Sequence, residues 1–236
     1  MNIKFSYYHI EKCGGSFLER ILNDYFLKFI DKKKIFKSCF INDKFTHFFP
    51  NNVEIIKNSD LFDFNNLEII LSHMNYKDND YLINCDFSFI SLRNPIDRVI
   101  SHYYYFVYKN TKIHLKDLNN TEFNNFISLG NLQTFKLGGG KYDLNKALNN
   151  IEDVSFFLIL ENFDNDIIEL NNKLNNYYNV NFEFNKNNIN KNKNNFNYKE
   201  FVDDDLYKKI KEKCEKNIIL YNTILKKKNL EKLIIK

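Results

Sequence analysis

Residues 12–16 place a lysine, a cysteine, two glycines and a serine directly after an apolar, β-prone run over residues 3–10. An apolar-periodic segment that predicts a helix follows at once. A strand, a glycine turn and a helix N-terminus in this order aim main-chain N–H groups at one point, where proteins bind phosphate or sulfate. Lys12 adds a full positive charge. The order differs from the P-loop of nucleoside triphosphatases, because the lysine precedes the glycines and no Gly-Lys-Ser/Thr closes the loop.

A second anion-binding pattern follows the apolar run over residues 87–92, which predicts a buried strand. Arg93 stands at the end of this strand, and Pro95 suits the first position of a following helix. Ser101 lies about two turns into that helix. Because ligands of open α/β sheets bind at the carboxyl ends of the strands, we expect Arg93 to face a ligand.

These two segments together resemble the sulfotransferases that use 3′-phosphoadenosine 5′-phosphosulfate (PAPS), in particular the carbohydrate branch that includes the heparan sulfate O-sulfotransferases. Residues 9–16 are similar to the family's His-Ile-Pro-Lys-Cys-Gly-Gly-Thr-like loop for the 5′-phosphosulfate. Residues 92–101 are similar to its Leu-Arg-Asp-Pro-x-x-Arg-x-x-Ser-like segment for the 3′-phosphate. Weaker resemblances follow in the family's order, at residues 71–73, 131–140, 156–163 and 220–221. Glu11 departs from the pattern, since the family usually has proline there.

The resemblance implies a role for each matching residue. Main-chain N–H groups of the glycine turn would bind the 5′-phosphate, and Lys12 would meet the bridging oxygen as negative charge develops there. Arg93 and Ser101 would bind the 3′-phosphate, to which a guanidinium can donate two parallel hydrogen bonds. The expected donor-binding residues are Lys12, Cys13, Gly14, Gly15, Ser16, Phe17, Arg93 and Ser101. The plain alternatives are an ordinary glycine turn with a solvated lysine, and an arginine that caps a neighbouring helix.

The predicted general base is His73, which follows an apolar run where the family often has a histidine. An imidazole can accept the proton of an acceptor hydroxyl near neutral pH. A glutamate is the alternative base, from among Glu11, Glu54 and Glu68. Glu11 would repel the donor unless it points away from the loop.

Three other residues have open or structural interpretations. Arg98 either contacts the phosphate or forms an internal salt bridge. His9 lies within the first predicted strand and is interpreted as structural, and His102 shares a helix with an aromatic run.

Composition bears on the partners, the metal content and the cellular compartment of the protein. A net charge of +4 over 236 residues, with acids and bases interspersed, does not indicate a nucleic-acid partner. The four cysteines form no Cys-x-x-Cys pair, which argues against a zinc site and for a reducing compartment. With neither a signal peptide nor an apolar run of about 20 residues, the chain is expected to be cytoplasmic. We therefore expect PAPS as donor, adenosine 3′,5′-bisphosphate (PAP) as product, no metal, and a carbohydrate or other hydroxyl-bearing acceptor.

The predicted fold is α/β, with a P-loop-like parallel sheet of about five strands flanked by helices on both faces. We expect one sulfotransferase-like domain over 1–236, with a polar loop near 185–197 and a C-terminal helix near 203–228. Strands are predicted at 3–10, 35–41, 67–72, 87–92 and 155–160. Helices are predicted at 15–30, 95–109, 120–137 (mostly helical), 164–178 and 203–228. Residues 42–66 are predicted to be irregular.

Two rival functions remain open on the sequence. A non-catalytic nucleotide- or sulfoglycan-binding module would keep the same anion-binding residues without the reaction. A nucleotide kinase would need a magnesium-binding Ser or Thr directly after the loop lysine, and the loop does not have that order. The sequence indicates neither the acceptor nor the oligomeric state.

Overall fold

The structure, a computed structural model, describes residues 4–28, 35–41, 44–48, 69–72, 85–181, 183–184 and 202–235. The predicted base His73, the alternative bases Glu54 and Glu68, and the polar loop 185–197 lie outside these residues. The strands are β1 (Phe5–Tyr8), β2 (Ile35–Ile41), β3 (Lys44–Phe48), β4 (Ile69–Ser72), β5 (Phe87–Leu92) and β6 (Phe156–Ile159). The helices are α1 (Gly15–Phe26), α2 (Pro95–Tyr103), α3 (Lys109–Thr111), α4 (Asn120–Ile127), α5 (Leu132–Leu137), α6 (Leu144–Asn150), α7 (Phe163–Tyr178), α8 (Asp204–Lys213) and α9 (Glu215–Lys227).

The described strands form one six-stranded sheet in the order β3-β2-β4-β1-β5-β6. Only β3 runs antiparallel to its neighbour, β2. The strands β2, β4, β1, β5 and β6 are parallel to one another. Every residue of β1, β5 and β6 is buried, which explains their nearly continuous apolar sequences. The predicted α/β class with a parallel sheet is confirmed.

Alternate residues of the central strands point to opposite faces of the sheet, and helices cover each face. On one face the strands pack with α1 and α7, through a cluster that includes Tyr7, Phe89 and Leu158. On the other face they pack with α5, α6 and α9, through a cluster that includes Ile90 and Phe157. Helix α2 belongs to a third cluster with α4 and α8.

The helix after β5 begins as its sequence predicts. The Oδ1 atom of Asn94 accepts hydrogen bonds from the main-chain N–H groups of Ile96 (3.0 Å) and Asp97 (3.3 Å), and Pro95 occupies the first helical turn. This cap fixes where β5 ends and α2 starts. The predicted helix 95–109 is interrupted, because residues Tyr104–Tyr108 form a π-helical turn between α2 and α3.

Three other elements differ from the sequence prediction. Strand β3 lies in the region that was predicted to be irregular, and α6 is a helix that the pattern did not indicate. The predicted helix 203–228 is two helices that meet at Cys214. The break has a packing reason, since Leu206 and Ile210 of α8 pack in the third cluster whereas Leu220 of α9 packs against the sheet. Among the described helices, none is long and apolar enough to cross a membrane.

Candidate functional site: an anion-binding turn at the ends of β1 and β5

The two predicted anion-binding segments meet at the carboxyl ends of adjacent strands. Strands β1 and β5 are paired in parallel, with Tyr8 opposite Ile90. Beyond the strand ends, Nη1 of Arg93 donates a hydrogen bond to the main-chain oxygen of Lys12 at 3.4 Å. Helix α1 follows β1 and helix α2 follows β5, and the two helices pack in different hydrophobic clusters. In open α/β sheets, ligands bind at the carboxyl ends of the strands where the following helices diverge in this way.

The turn between β1 and α1 needs its glycines for two different reasons. Lys12 and Gly14 both have left-handed backbones, with φ of 67° and 83°. That conformation is open to glycine but costs a lysine about 1 kcal/mol. At Gly15 the reason is space, because a Cβ there would fall inside the imidazole of His9. His9 is buried and its Nδ1 lies 2.9 Å from Oε1 of Glu19, in line with its structural interpretation.

Helix α1 begins directly after this turn, and its first N–H groups have no acceptor within the helix. Together with the helix dipole they form the positive end that the sequence predicts. The ring of Phe17 packs against Phe163 with centroids 5.5 Å apart, so Phe17 offers a ligand its main chain. Ser16 belongs to the first turn of α1, and its side chain is outside the described part of the chain.

Cys13 is a packing residue of the turn. Its side chain is buried, and Sγ lies 3.9 Å from both the main-chain oxygen of Glu11 and Oε1 of Gln133. Burial raises the pKa of the Cys13 thiol to about 12. The thiol is therefore protonated near neutral pH and is no nucleophile.

Lys12 has an unusually acidic ammonium group. Burial, and secondly the positive charge of Arg93, lowers its pKa from 10.5 to about 8. The Nζ atom lies 3.7 Å from the centroid of the Tyr105 ring, over its face. The side chain is thus mostly protonated at neutral pH, and an anion would stabilise that charge.

A buried side-chain amide holds the main chain of Arg93. Gln133 donates to the Arg93 oxygen at 3.1 Å and accepts from the Arg93 N–H at 3.2 Å. Next to Gln133, both the N–H and the hydroxyl of Thr134 donate to Oδ1 of Asn217 at 2.7 Å. Gln133 and Thr134 are both buried, and their hydrogen bonds position Arg93 and helix α5.

Glu161 anchors the neighbouring residue. Its carboxylate accepts from the main-chain N–H of Asn94 and from the hydroxyl of Tyr221, each at 2.8 Å. Burial raises the pKa of Glu161, whereas these hydrogen bonds and the charge of Arg93 lower it. The start of α2 is therefore tied to both β6 and α9.

Arg98 and Ser101 both lie on α2. Arg98 is 0 % exposed, and burial lowers its pKa, with the negative charge of Glu11 acting in the opposite direction. Ser101 is nearly buried in the second turn of the helix. Arg98 thus adds a second guanidinium close to the loop, on the side of Cys13.

The negative charge of Glu11 is partly neutralised, so that it repels a bound anion less. It forms an ion pair with Lys136 at 3.7 Å, with both side chains mostly buried. It also acts on the pKa of Arg98 and of His102. Nearby cations therefore offset the negative charge of Glu11, the residue that replaces the usual proline of the resembled family.

His102 is the histidine that sequence reasoning undervalued. Burial lowers its pKa to about 4, and the charges of Arg98 and Lys12 act in the same direction. Its ring lies 4.6 Å from Phe106 and 5.8 Å from Phe126, and its Nδ1 has no hydrogen-bond partner in the described part of the chain. The imidazole is neutral at neutral pH and close enough to Lys12 to be affected by its charge. Its position four residues after Arg98, on the same helical face, was the available signal.

Within the described residues, no group of three or more His, Cys, Asp or Glu side chains could hold a metal ion. Comparison of the chain with protein-family models, with curated proteins and with solved structures finds no match. The functional argument therefore depends on the geometry of the site and on the resemblance of its two segments.

We predict that Gly15→Ala destabilises the fold by about 1–3 kcal/mol, because the added methyl group overlaps the His9 ring. Urea unfolding measures the loss. The same change in a His9→Ala background should cost much less, because the space is then open. An equal cost in both backgrounds would contradict the steric explanation.

We predict that Gln133→Leu lowers the free energy of unfolding by about 1–3 kcal/mol, because it leaves main-chain groups of Arg93 without partners. It should also weaken the binding of inorganic sulfate. Thr134→Val is the matched control, since it removes a buried hydroxyl that donates to Asn217 and not to Arg93. If both variants weakened sulfate binding equally, Gln133 would have no specific role in positioning Arg93.

Sulfate affinity should fall as the pH rises through about 8, the pKa of Lys12 in the free protein. The sign follows because sulfate stays a dianion in this range and favours the protonated lysine. Sulfate therefore binds most tightly below a pH of about 8. Above that pH its affinity falls by roughly tenfold, because one charge-assisted hydrogen bond is lost. Calorimetry between neutral pH and pH of about 10 measures this.

Two other groups near the loop have pKa values outside that window, His102 at about 4 and Cys13 at about 12. Lys12→Arg is the control, because a guanidinium stays charged throughout. A fall of the same size in Lys12→Arg would assign the effect to another group.

Proposed function

We propose that this protein is a PAPS-dependent sulfotransferase that moves a sulfuryl group from PAPS to a hydroxyl, on a carbohydrate acceptor. The observation that carries the proposal is the 3.4 Å contact between the Arg93 guanidinium and the Lys12 carbonyl. It joins the two segments that resemble the family's two phosphate-binding segments, although 81 positions separate the residues. A single nucleotide with two phosphate groups would need both segments at one sheet edge.

In this proposal the donor binds across the ends of β1 and β5, in a P-loop-like site. Main-chain N–H groups of residues 14–17 bind the 5′-phosphate, with the Ser16 hydroxyl as a further donor, whereas the Cys13 N–H already donates to the Ile10 main-chain oxygen at 3.1 Å. Arg93 and Ser101 bind the 3′-phosphate. The left-handed turn at Lys12 and Gly14 and the start of α1 support this arrangement, because a turn of this kind before a helix N-terminus is typical of anion-binding sites.

The proposed reaction forms a bond between the acceptor oxygen and sulfur and breaks the bond between sulfur and the bridging phosphate oxygen. Negative charge develops on that bridging oxygen, where the Lys12 ammonium stabilises it. The acceptor proton passes to the base, for which His73 remains the proposed residue. Glu11 is a poorer candidate, because it is already paired with Lys136. PAP is the second product, and the scheme uses no metal.

The binding module without catalysis remains a second candidate. One observation favours it: among the described residues, the imidazole coupled to Lys12 belongs to His102, whose pKa of about 4 makes it a weak base. The two candidates share the anion site and differ in turnover. Incubation with sulfur-labelled PAPS and a panel of glycans, lipids and small phenols separates them, after a thermal-shift test that PAP stabilises the protein. Stabilisation by PAP without any labelled product would favour the binding module.

For the sulfotransferase we predict different effects of Lys12→Ala and Arg93→Ala. Lys12→Ala should lower kcat about a hundredfold or more but weaken PAP binding by no more than about tenfold, because its charge acts mainly on the transition state. Arg93→Ala should weaken PAP binding about tenfold or more, because it loses a charged hydrogen-bond donor. Labelled-sulfate turnover and PAP titration measure the two effects.

Lys109→Ala is the matched control, since its Nζ lies 5.8 Å from the Tyr105 ring and the residue stands outside the loop. It should leave both quantities close to wild type. Equal turnover by Lys12→Ala and wild type would refute the role of the lysine.

A further inference from the structure

Lys12 has a partner that the proposed reaction does not use, the ring of Tyr105. The Lys12 Nζ lies 3.7 Å from the ring centroid, well within the distance at which a cation is attracted by an aromatic face. The Nζ of Lys109 is also near this ring, but at 5.8 Å. The close contact is therefore specific to the loop lysine.

Both Lys12 and Tyr105 lie in segments whose backbone conformation is uncommon. Lys12 is in the left-handed region, with φ of 67°. Tyr105 lies in the π-helical turn Tyr104–Tyr108, which follows α2 directly. A π turn changes the direction in which the following side chains project, and such turns are frequent at functional sites. The helix that starts beside Arg93 thus delivers an aromatic face to Lys12.

The core does not explain the position of the Tyr105 ring. The side chain is 54 % exposed, and its neighbour Phe106 is 48 % exposed. Neither belongs to the buried clusters that hold the helices to the sheet. In contrast, Tyr103 on the preceding helix is fully buried and donates its hydroxyl hydrogen to the Ile113 oxygen at 2.8 Å. The Tyr105 ring packs edge-on against Phe106, with centroids 4.7 Å apart, and its face contacts the Lys12 ammonium.

We infer that the Tyr105 ring holds the Lys12 ammonium in the ligand-free protein and releases it to the oxyanion that the loop binds, which makes Tyr105 a positioning residue for Lys12. A cation–π contact at an exposed site is weaker than a charge-assisted hydrogen bond, so a sulfate or phosphate oxygen displaces the ring. The inference rests on the proposed function only for the identity of the nucleotide that supplies this oxyanion. The contact itself is independent of any reaction.

The test measures how fast Lys12 reacts with trace acetic anhydride at neutral pH, read by mass spectrometry of its peptide. The proteins are wild type, Tyr105→Phe, which keeps the aromatic face, and Tyr105→Leu, which removes it. We expect Lys12 to react about threefold faster in Tyr105→Leu and at the wild-type rate in Tyr105→Phe. The exposed position makes both variants compatible with folding, which thermal unfolding verifies. Equal rates in all three proteins would overturn the inference.

Lys136 is the internal control, because it pairs with Glu11 of the same turn and its contact does not involve the ring. Faster reaction of both Lys12 and Lys136 would mean a loosened turn and would also overturn the inference. Inorganic sulfate should slow the reaction of Lys12 in all three proteins, and lack of protection would refute the exchange. Protection by sulfate but not by PAP would leave the exchange intact and contradict the proposed function.

Discussion

The hydrogen bond from the Arg93 guanidinium to the Lys12 carbonyl is the interaction on which the candidate site depends. It joins the turn after β1 to the end of β5, two places that are neighbours only because the strands pair in parallel. The acceptor is a neutral carbonyl, so this contact does not cancel the positive charge. Gln133 holds the main chain of the same arginine from within the core. Arg93 is thus held through both its main chain and its side chain.

Positive charge is concentrated at this sheet edge at an electrostatic cost. Burial lowers the pKa of both Lys12 and Arg98, and the charge of Arg93 lowers that of Lys12 further. Two acids offset part of this charge, Glu11 from within the turn and Glu161 from the end of β6. An anion at the turn would stabilise the cations further, which is the physical reason to regard this edge as a binding site.

Local patterns in the sequence determined much of the framework. Apolar β-prone runs identified β1, β5 and β6, because strands buried on both faces need nearly continuous apolar residues. Similar runs predicted β2 and β4, which form at those positions. Asn94 and Pro95 identified the start of α2, since capping and a fixed φ act within a few residues. The glycine pair predicted a turn at the end of β1, and the left-handed angle at Gly14 agrees with it. The role of His73 stays a prediction.

Only the tertiary structure decided the partners of the charged and aromatic side chains. Lys136 pairs with Glu11, and Tyr105 covers Lys12, across long stretches of chain that no local pattern connects. The burial of Arg98 and the neutral state of His102 depend equally on which helices pack behind the loop. The sequence by itself determined where the turn after β1 and the end of β5 lie, because turn and strand-end geometry are local. The packing of distant helices decided how the cations there are held, because desolvation and charge pairing act through space.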